Sequence, residues 1–273
     1  MPELLAEVPL RIIPVRPRQF RRGSLHLIER HARAYRYAWV VFVSGLSEPL
    51  FYLLAIGVGV GQLVGTVLGP GGQQIDFTSF VAPGLLAAAS MNGAVMDSTF
   101  SVFFRLKYSK LYESVLGTPM RVGDIAVGEV GWSVLRAGIY ALAFLIVILA
   151  MGLVHSAWAV AALPAALLIG FAFAAVGMAA TTFMTSWQHF EFITLTTLPM
   201  FLFSTTFYPL SVYPKAAQVI VECTPLYQGV TLLRGLCLGA VGPGLAWHAA
   251  YLAAMGLAGL AVAIRRISVL LLK

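Results

Sequence analysis

The sequence RLKYSKLYESVLGTPMRVGDIAVGE, residues 105–129, is the one polar stretch of any length between two hydrophobic blocks. Before Gly117 its apolar residues recur at roughly helical spacing. Pro119 cannot continue a helical hydrogen-bond ladder, and it biases Thr118 away from helical angles. The stretch therefore predicts a short surface helix, a forced corner and the start of a second helix. An ordinary solvated loop is the alternative.

The composition is that of an integral membrane protein. Hydrophobic residues make up 59% of the chain and charged residues 11%, and the mean hydropathy is +0.86. Soluble domains contain about a quarter charged residues, so an aqueous globular fold is excluded. The first twenty residues contain prolines and arginines without a continuous apolar core, so we do not expect a cleavable signal peptide.

The net charge of +7 is concentrated at three places. Eight arginines fall within residues 11–36, four basic side chains lie in residues 105–129, and three more close the chain. Loops on the cytoplasmic side of a membrane are enriched in Lys and Arg, so we expect both termini and residues 105–129 on that side. Because the basic residues flank membrane spans, we expect no nucleic-acid partner.

The chain divides into a basic tail with an interfacial helix, residues 1–36, and a transmembrane domain, residues 37–273. Residues 24–36 predict an amphipathic helix with Leu25, Ile28, Ala32 and Tyr35 on its apolar side. Its basic side would meet lipid headgroups through Arg30, Arg33 and Arg36. Six apolar segments are predicted to cross the membrane: about residues 37–64, 80–104, 126–153, 157–185, 192–209 and 244–264. The fourth is rich in small residues, which favour close helix packing.

Two segments between the spans are expected outside. Residues 65–78 are rich in glycine with one charged residue, which suits an exposed loop. Residues 210–226 are bounded and interrupted by prolines, and they are too short and too broken to cross. They predict a re-entrant helical hairpin that enters and leaves from the outer side. Arg234 follows and is expected on the same side.

Three ionisable residues lie inside predicted spans: Glu48, Asp97 and Arg136. Because such groups are costly in lipid, they should face protein or water. Glu48 is expected near an interface or paired within the bundle more readily than in a transport role. Asp97 is close enough in sequence to Arg105 for a polar cluster, with bundle packing as the alternative, and Arg136 can extend toward the cytoplasmic edge.

The sequence predicts no catalytic or metal-binding residues. Cys223 and Cys237 are too few for a metal site or a disulfide framework. His189 and Glu191 are interpreted as an interfacial turn.

Several motifs resemble those of type-2 ABC exporter permeases. FLFSTTFYPLSVYPKAAQVIVECTPLYQGVTLLRG, residues 201–235, is similar to the signature of this family. FYLLAIGVGVGQLV, VAPGLLAAASMNGAVMDSTF and KLYESVLGTPMRVGDIAVGE resemble the corresponding stretches of the nodulation-factor exporter permeases, and daunorubicin-resistance-type permeases are also similar. The resemblance covers about residues 44–239. Thr205 and Tyr208 depart from the expected glycine and phenylalanine, and Asp97 stands where many relatives carry glutamate.

The resemblance implies a complex of two permease subunits, the second one identical or homologous, with two copies of a separate ATP-binding subunit and surrounding membrane lipids. This chain has no G-x-x-x-x-G-K-[ST] loop, so ATP and Mg would lie on the partner and no cofactor on this chain. The resemblance also implies a coupling helix that docks on the ATP-binding subunit, made by Lys110, Tyr112, Glu113, Val115, Leu116, Gly117, Thr118 and Pro119. Residues of a re-entrant exit are implied at Phe207, Pro209, Leu210, Pro214 and Pro225.

The implied function is export of a lipid-linked, glycolipid or other amphipathic substrate, including hydrophobic drugs, across the cytoplasmic membrane. A membrane-embedded enzyme acting on lipids is the alternative, but it requires a cluster of His, Asp or Glu at catalytic spacing. A secondary transporter or channel predicts an inverted repeat with broken helices in both halves, whereas the proline-broken segment occurs once.

Overall fold

The structure is a computed structural model that describes residues 23–35, 39–118 and 120–271. In these ranges the regular secondary structure is helical apart from one two-stranded hairpin, which confirms the predicted all-α membrane fold. The α-helices are α1 (Gly23–Tyr35), α2 (Trp39–Tyr52), α3 (Gly61–Val64), α4 (Phe77–Met96), α5 (Val102–Lys107), α6 (Leu111–Leu116), α7 (Val122–Ala150), α8 (Ala162–Thr181), α9 (Phe190–Phe203), α10 (Lys215–Cys223), α11 (Pro225–Leu238) and α12 (Gly244–Leu271). π-Helical turns at Leu53–Val60 and Asp97–Ser101 join α2 to α3 and α4 to α5, and short 3-10 helices lie at Ala157–Ala161, Trp187–His189 and Leu210–Val212.

Five helical segments of the described chain are long and apolar enough to cross a membrane: Gly45–Val64, Phe77–Lys107, Val122–Ala150, Ala157–Thr181 and Gly244–Leu271. They correspond to the predicted spans one to four and six. The predicted fifth span is α9, whose 14 residues extend for about 21 Å, less than the roughly 30 Å of a hydrocarbon core. The count of six spans therefore remains a prediction.

The centre of the bundle is α4. In an apolar stretch of 18 residues of the span that contains α4, 83% of the residues are buried, compared with 22% in a stretch of the same length in α12. α4 packs against α7, α8 and α11, and α12 packs chiefly on α8. A Cβ atom added to Gly259 of α12 would lie 2.8 Å from the backbone nitrogen of Val176 in α8. This backbone contact confirms the close packing predicted from the small residues of the fourth span.

The two ends of the bundle differ. The end that we call the hairpin end carries β1 (Thr66–Leu68), which pairs antiparallel with β2 (Gln74–Asp76). α10 and α11 meet at Thr224, with Pro225 in the first turn of α11, and the later residues Arg234 and Gly235 of α11 line a pocket at the hairpin end together with Leu68. α11 continues to Leu238, so the proline-bounded segment is longer than the predicted residues 210–226, and its re-entrant path remains a prediction. The opposite end, which we call the α6 end, carries α6.

α1 lies along α7. The structure buries Leu27 and His31, whereas Leu25 is 58% exposed and Ala32 is also exposed. A Cβ atom added to Gly128 of α7 would lie 3.0 Å from the side chain of Leu27, so this glycine permits the close approach. Ile28 of the predicted apolar side is half-buried close to Gly131 of α7, whereas the burial of His31 was not predicted because hydrophobicity alone did not identify its polar partner.

Candidate functional site

A buried carboxylate joins several helices at the α6 end. Glu129 of α7 is 1% exposed, and its Oε1 atom lies 3.2 Å from Nε2 of His31 in α1. Arg105 of α5 donates a hydrogen bond to the other carboxylate oxygen, Oε2. Tyr112 of α6 is buried beside the carboxylate of Glu129 and the guanidinium of Arg105. We call His31, Arg105, Tyr112 and Glu129 the junction.

The junction constrains the relative positions of its helices. A buried carboxylate is strongly unfavourable unless it is paired and hydrogen-bonded. Both oxygens of Glu129 have partners, and these come from α1 and α5, two separate helices that both precede α7 in sequence. A displacement of α1 or α5 away from α7 therefore exposes or unpairs a buried charge. The junction favours movement of these elements together.

The structure contradicts the implied role of the Tyr112 side chain in docking on the ATP-binding subunit. Its side chain is 1% exposed and belongs to the main apolar core. Its hydroxyl makes no hydrogen bond of normal geometry, and burial, followed by the charge of Glu129, raises the pKa of Tyr112. The prediction was wrong because an aromatic residue in a polar stretch can bury itself against its own chain.

The rest of α6 and its flanks offers a mixed surface. Val115 and Leu116 are half-buried and pack on the core of this chain. The exposed predicted coupling residues are Lys110, Glu113, Gly117 and Thr118. Lys110 has a φ of 48°, a left-handed conformation that sharply turns the chain from α5 into α6. Pro119 lies outside the described residues, so its role stays a prediction.

A second polar cluster lies between α4 and α7. Arg136 Nη1 donates to Asp97 Oδ1 at 3.0 Å, and Ser133 Oγ donates to Asp97 Oδ2 at 2.8 Å. Arg136 Nε also donates to the hydroxyl of Tyr140 at 3.1 Å. Asp97 begins a π-helical turn, a feature that occurs often at functional sites. Asp97 thus pairs with Arg136, while Arg105 pairs with Glu129 instead of Asp97.

The predicted intramembrane residues also meet at a cavity. The cavity has a volume of about 280 Å³, and both Glu48 and Arg136 line it. Glu48 is exposed and makes no ion pair with the described residues. Further polar and aromatic lining is provided by Tyr52, Asn92, Tyr140 and Phe201. The structure therefore brings together residues that the sequence placed on separate spans.

The predicted exit residues do not form one cluster. Phe207 packs on Phe201, with ring centroids 5.3 Å apart, beside Tyr52 of the cavity. Pro209 and Leu210 instead line a separate pocket at the hairpin end. Pro214 is exposed before α10, and Pro225 is half-buried at the start of α11.

Two of the predicted lipid-facing arginines are described. Arg30 and Arg33 are exposed on α1, and Arg33 donates to Glu29 at 2.6 Å. Their position is compatible with contact to headgroups. Arg36 lies outside the described residues, as do residues 1–22 of the predicted tail.

Comparison with known proteins identifies the family. The sequence model of the ABC-2 type transporter family matches residues 24–238. Nodulation protein J of Rhizobium leguminosarum bv. trifolii is 32% identical over 222 residues, covering 80% of this chain and 83% of the relative. Nodulation protein J of R. leguminosarum bv. viciae is 32% identical over 77% of this chain and 80% of its own. The protein of the same name from Rhizobium meliloti (strain 1021) is 28% identical over 75% and 77%.

The family match covers most of the spanning helices, the junction and the cavity. The chain therefore belongs to the ABC-2 type transporter family, as a multi-pass membrane subunit of an ABC transporter.

Proposed function

We propose that the chain is the permease of an ATP-driven exporter that moves a lipid-linked, glycolipid or other amphipathic substrate outward across the cytoplasmic membrane. Two copies of a separate subunit bind ATP and Mg, and a second permease, identical or homologous, completes the complex. Both termini and the α6 end face the cytoplasm.

The observation that carries this proposal is the position of α6. It presents exposed residues to a partner on one side, while Tyr112 anchors it in the junction on the other. α5 continues the span of α4, and α7 begins next to the junction. A force applied to α6 is therefore transmitted to two spanning helices, because the buried contacts of Tyr112 and Glu129 resist separation.

The chemistry of the cavity supports an amphipathic cargo. Apolar side chains such as Leu85 and Phe201 form part of its wall, and Glu48, Asn92 and Arg136 add polar groups. Small-molecule sites commonly combine apolar walls with a few polar groups that fix the orientation of the ligand. In an amphipathic cargo, a polar head can contact these groups while its apolar part lies against the wall or the lipid.

The test is reconstitution with a candidate ATP-binding subunit from the same genome. The two proteins should co-purify, and the complex in proteoliposomes should move a fluorescent lipid-linked oligosaccharide only when ATP is hydrolysed. A variant of the ATP-binding subunit that binds but does not hydrolyse ATP is the control. Stable co-purification with ATP hydrolysis that never drives movement of glycolipids or hydrophobic drugs would contradict the export proposal.

A further inference from the structure

Arg234 is a buried cation without a carboxylate partner in the described chain. It lies on α11 and is 6% exposed, whereas the sequence predicted that it lies on the outer side of the membrane. Its Nε donates to the carbonyl of Phe80 at 3.2 Å, and its Nη2 donates to the carbonyls of Thr205 at 2.8 Å and Thr206 at 3.4 Å. The guanidinium carbon lies 3.7 Å from the centre of the Phe80 ring.

These contacts hold the guanidinium in place but do not neutralise it. Carbonyl groups and an aromatic ring contribute dipoles and a quadrupole, whereas a buried positive charge is usually compensated by an anion. The salt bridges of the described residues do not include Arg234. Its Nη1 atom takes no part in the hydrogen bonds above. One edge of the planar guanidinium of Arg234 is thus available to a hydrogen-bond acceptor on a ligand.

Arg234 borders a pocket of about 390 Å³ at the hairpin end. The described residues that line it include no Asp or Glu. Polar side chains in the lining are Thr205, Tyr227, Thr231 and His248. This volume is larger than a small anion requires, so the pocket also has room for a chemical group that is attached to the anion. Glycines also line the pocket, and a Cβ atom added to Gly242 would meet no atom within 4 Å.

Thr205 gives a second, independent indication. It has a φ of 60°, which is a strained conformation for a β-branched residue. Its carbonyl accepts from Arg234, while its hydroxyl is buried without a hydrogen-bond partner. Buried hydroxyls normally have a partner, so an unpaired one beside a cation in a pocket indicates a missing polar ligand. Strain of this kind is found preferentially at functional sites.

We propose that this pocket binds a phosphate group, held by Arg234 and by the polar side chains around it. Guanidinium and phosphate make strong charge-assisted hydrogen bonds, and the pocket lacks the acidic side chains that would repel an anion. The phosphate is carried either by a lipid headgroup or by a free ion. The site does not depend on the direction or energy source of transport, so it stands apart from the export proposal.

The test uses the full chain purified in an uncharged maltoside detergent without phosphate. Thermal unfolding is followed with inorganic phosphate, with dihexanoyl phosphatidylglycerol below its micelle concentration, and with chloride at matched ionic strength. A ligand that binds the folded chain raises Tm by an amount that grows with the logarithm of its concentration. We expect a rise with at least one of the two phosphate compounds beyond that with chloride. A rise with the lipid alone assigns the site to headgroups, and a rise with inorganic phosphate assigns it to the phosphate group itself.

Three variants make the result specific. Arg234→Gln should lose the rise because it removes the charge. Thr231→Val removes a polar side chain of the lining while leaving the hydrogen bonds of Arg234 intact, so it should reduce the rise, and it is the test variant if Arg234→Gln does not fold. Lys215→Gln removes an exposed cation of the neighbouring helix α10 and should keep the rise. No rise in the wild-type chain, or a rise undiminished in both pocket variants, would overturn the proposal.

Discussion

The side chains of His31 and Glu129 meet across 98 positions of sequence, with Nε2 of the histidine 3.2 Å from Oε1 of the glutamate. The contact joins α1, which lies along the bundle, to α7, which belongs to it. Both side chains are buried, so the contact is part of the protein interior. Together with the bond from Arg105, it makes Glu129 the centre of the α6 end.

Glu129→Gln should strongly destabilise the chain. The amide has nearly the shape of the carboxylate, but it removes the buried negative charge that pairs with the guanidinium of Arg105. Removing one partner of a buried ion pair typically costs about 3–5 kcal/mol. Chemical unfolding of the purified chain in detergent measures this change in the free energy of unfolding.

The matched control for that variant is Glu29→Gln. Glu29 also pairs with an arginine, Arg33, but both side chains are more than half exposed. Surface pairs contribute little, so the free energy of unfolding should change much less. Equal effects of the two substitutions would show that the burial of Glu129 has no energetic consequence.

Tyr112 should act through packing within this chain. Tyr112→Phe should change the free energy of unfolding little, because the hydroxyl that it removes is buried and makes no hydrogen bond of normal geometry. Tyr112→Ala should cost about 3–5 kcal/mol, as large aromatic truncations in a core do. Unfolding of both variants is compared with co-purification of the ATP-binding subunit. Loss of that subunit from a Tyr112→Ala chain of normal stability would place Tyr112 in the interface after all.

Breaking the pair between Asp97 and Arg136 should lower the free energy of unfolding strongly, whereas replacing both residues by apolar ones should lower it much less. Asp97→Asn removes the buried carboxylate that pairs with Arg136 and should cost about 3–5 kcal/mol, whereas replacing both residues by Leu and Met should recover most of that loss. Ser133→Ala, which removes one hydrogen bond to Asp97, should cost about 1 kcal/mol and is the control. A double-mutant cycle on the unfolding free energies measures the coupling. Strictly additive losses would contradict a direct interaction.

The two ends of the bundle should face opposite sides of the membrane. Gln73 in the β1–β2 turn and Glu113 in α6 are both exposed, so single cysteines can be placed there. They should be introduced after replacing the native thiols by Cys223→Ser and Cys237→Ala. A membrane-impermeant maleimide should label Gln73→Cys in intact cells and Glu113→Cys only after permeabilisation. Labelling in the reverse order would invert the proposed topology.

The sequence predicted those features that depend on neighbours along the chain. Hydropathy located the five long spanning helices, and prolines located the breaks around α10. The sequence did not predict contacts that form only in the folded bundle. The pairing of Asp97 with Arg136 and the burial of Arg234 under three carbonyls depend on helices that meet in space.

Thr205 departs from the family pattern at a position where the backbone conformation is unusual. The family resemblance placed a glycine at this position, and the structure gives the residue a left-handed φ of 60°, which glycine adopts without strain. The expected glycine was therefore a signal for an unusual backbone position. The sequence alone did not reveal that the same position contacts a buried arginine.

Site-specific photocrosslinking directly tests the proposed contact between α6 and the ATP-binding subunit. A photoreactive amino acid replaces Glu113 in α6 or, as the control, Gln73 at the hairpin end, both of which are exposed. The assembled complex is irradiated, and crosslinked ATP-binding subunit is detected. We expect a crosslink from position 113 and none from position 73. No crosslink from position 113, or a comparable one from position 73, in a complex that still co-purifies would contradict the proposed contact.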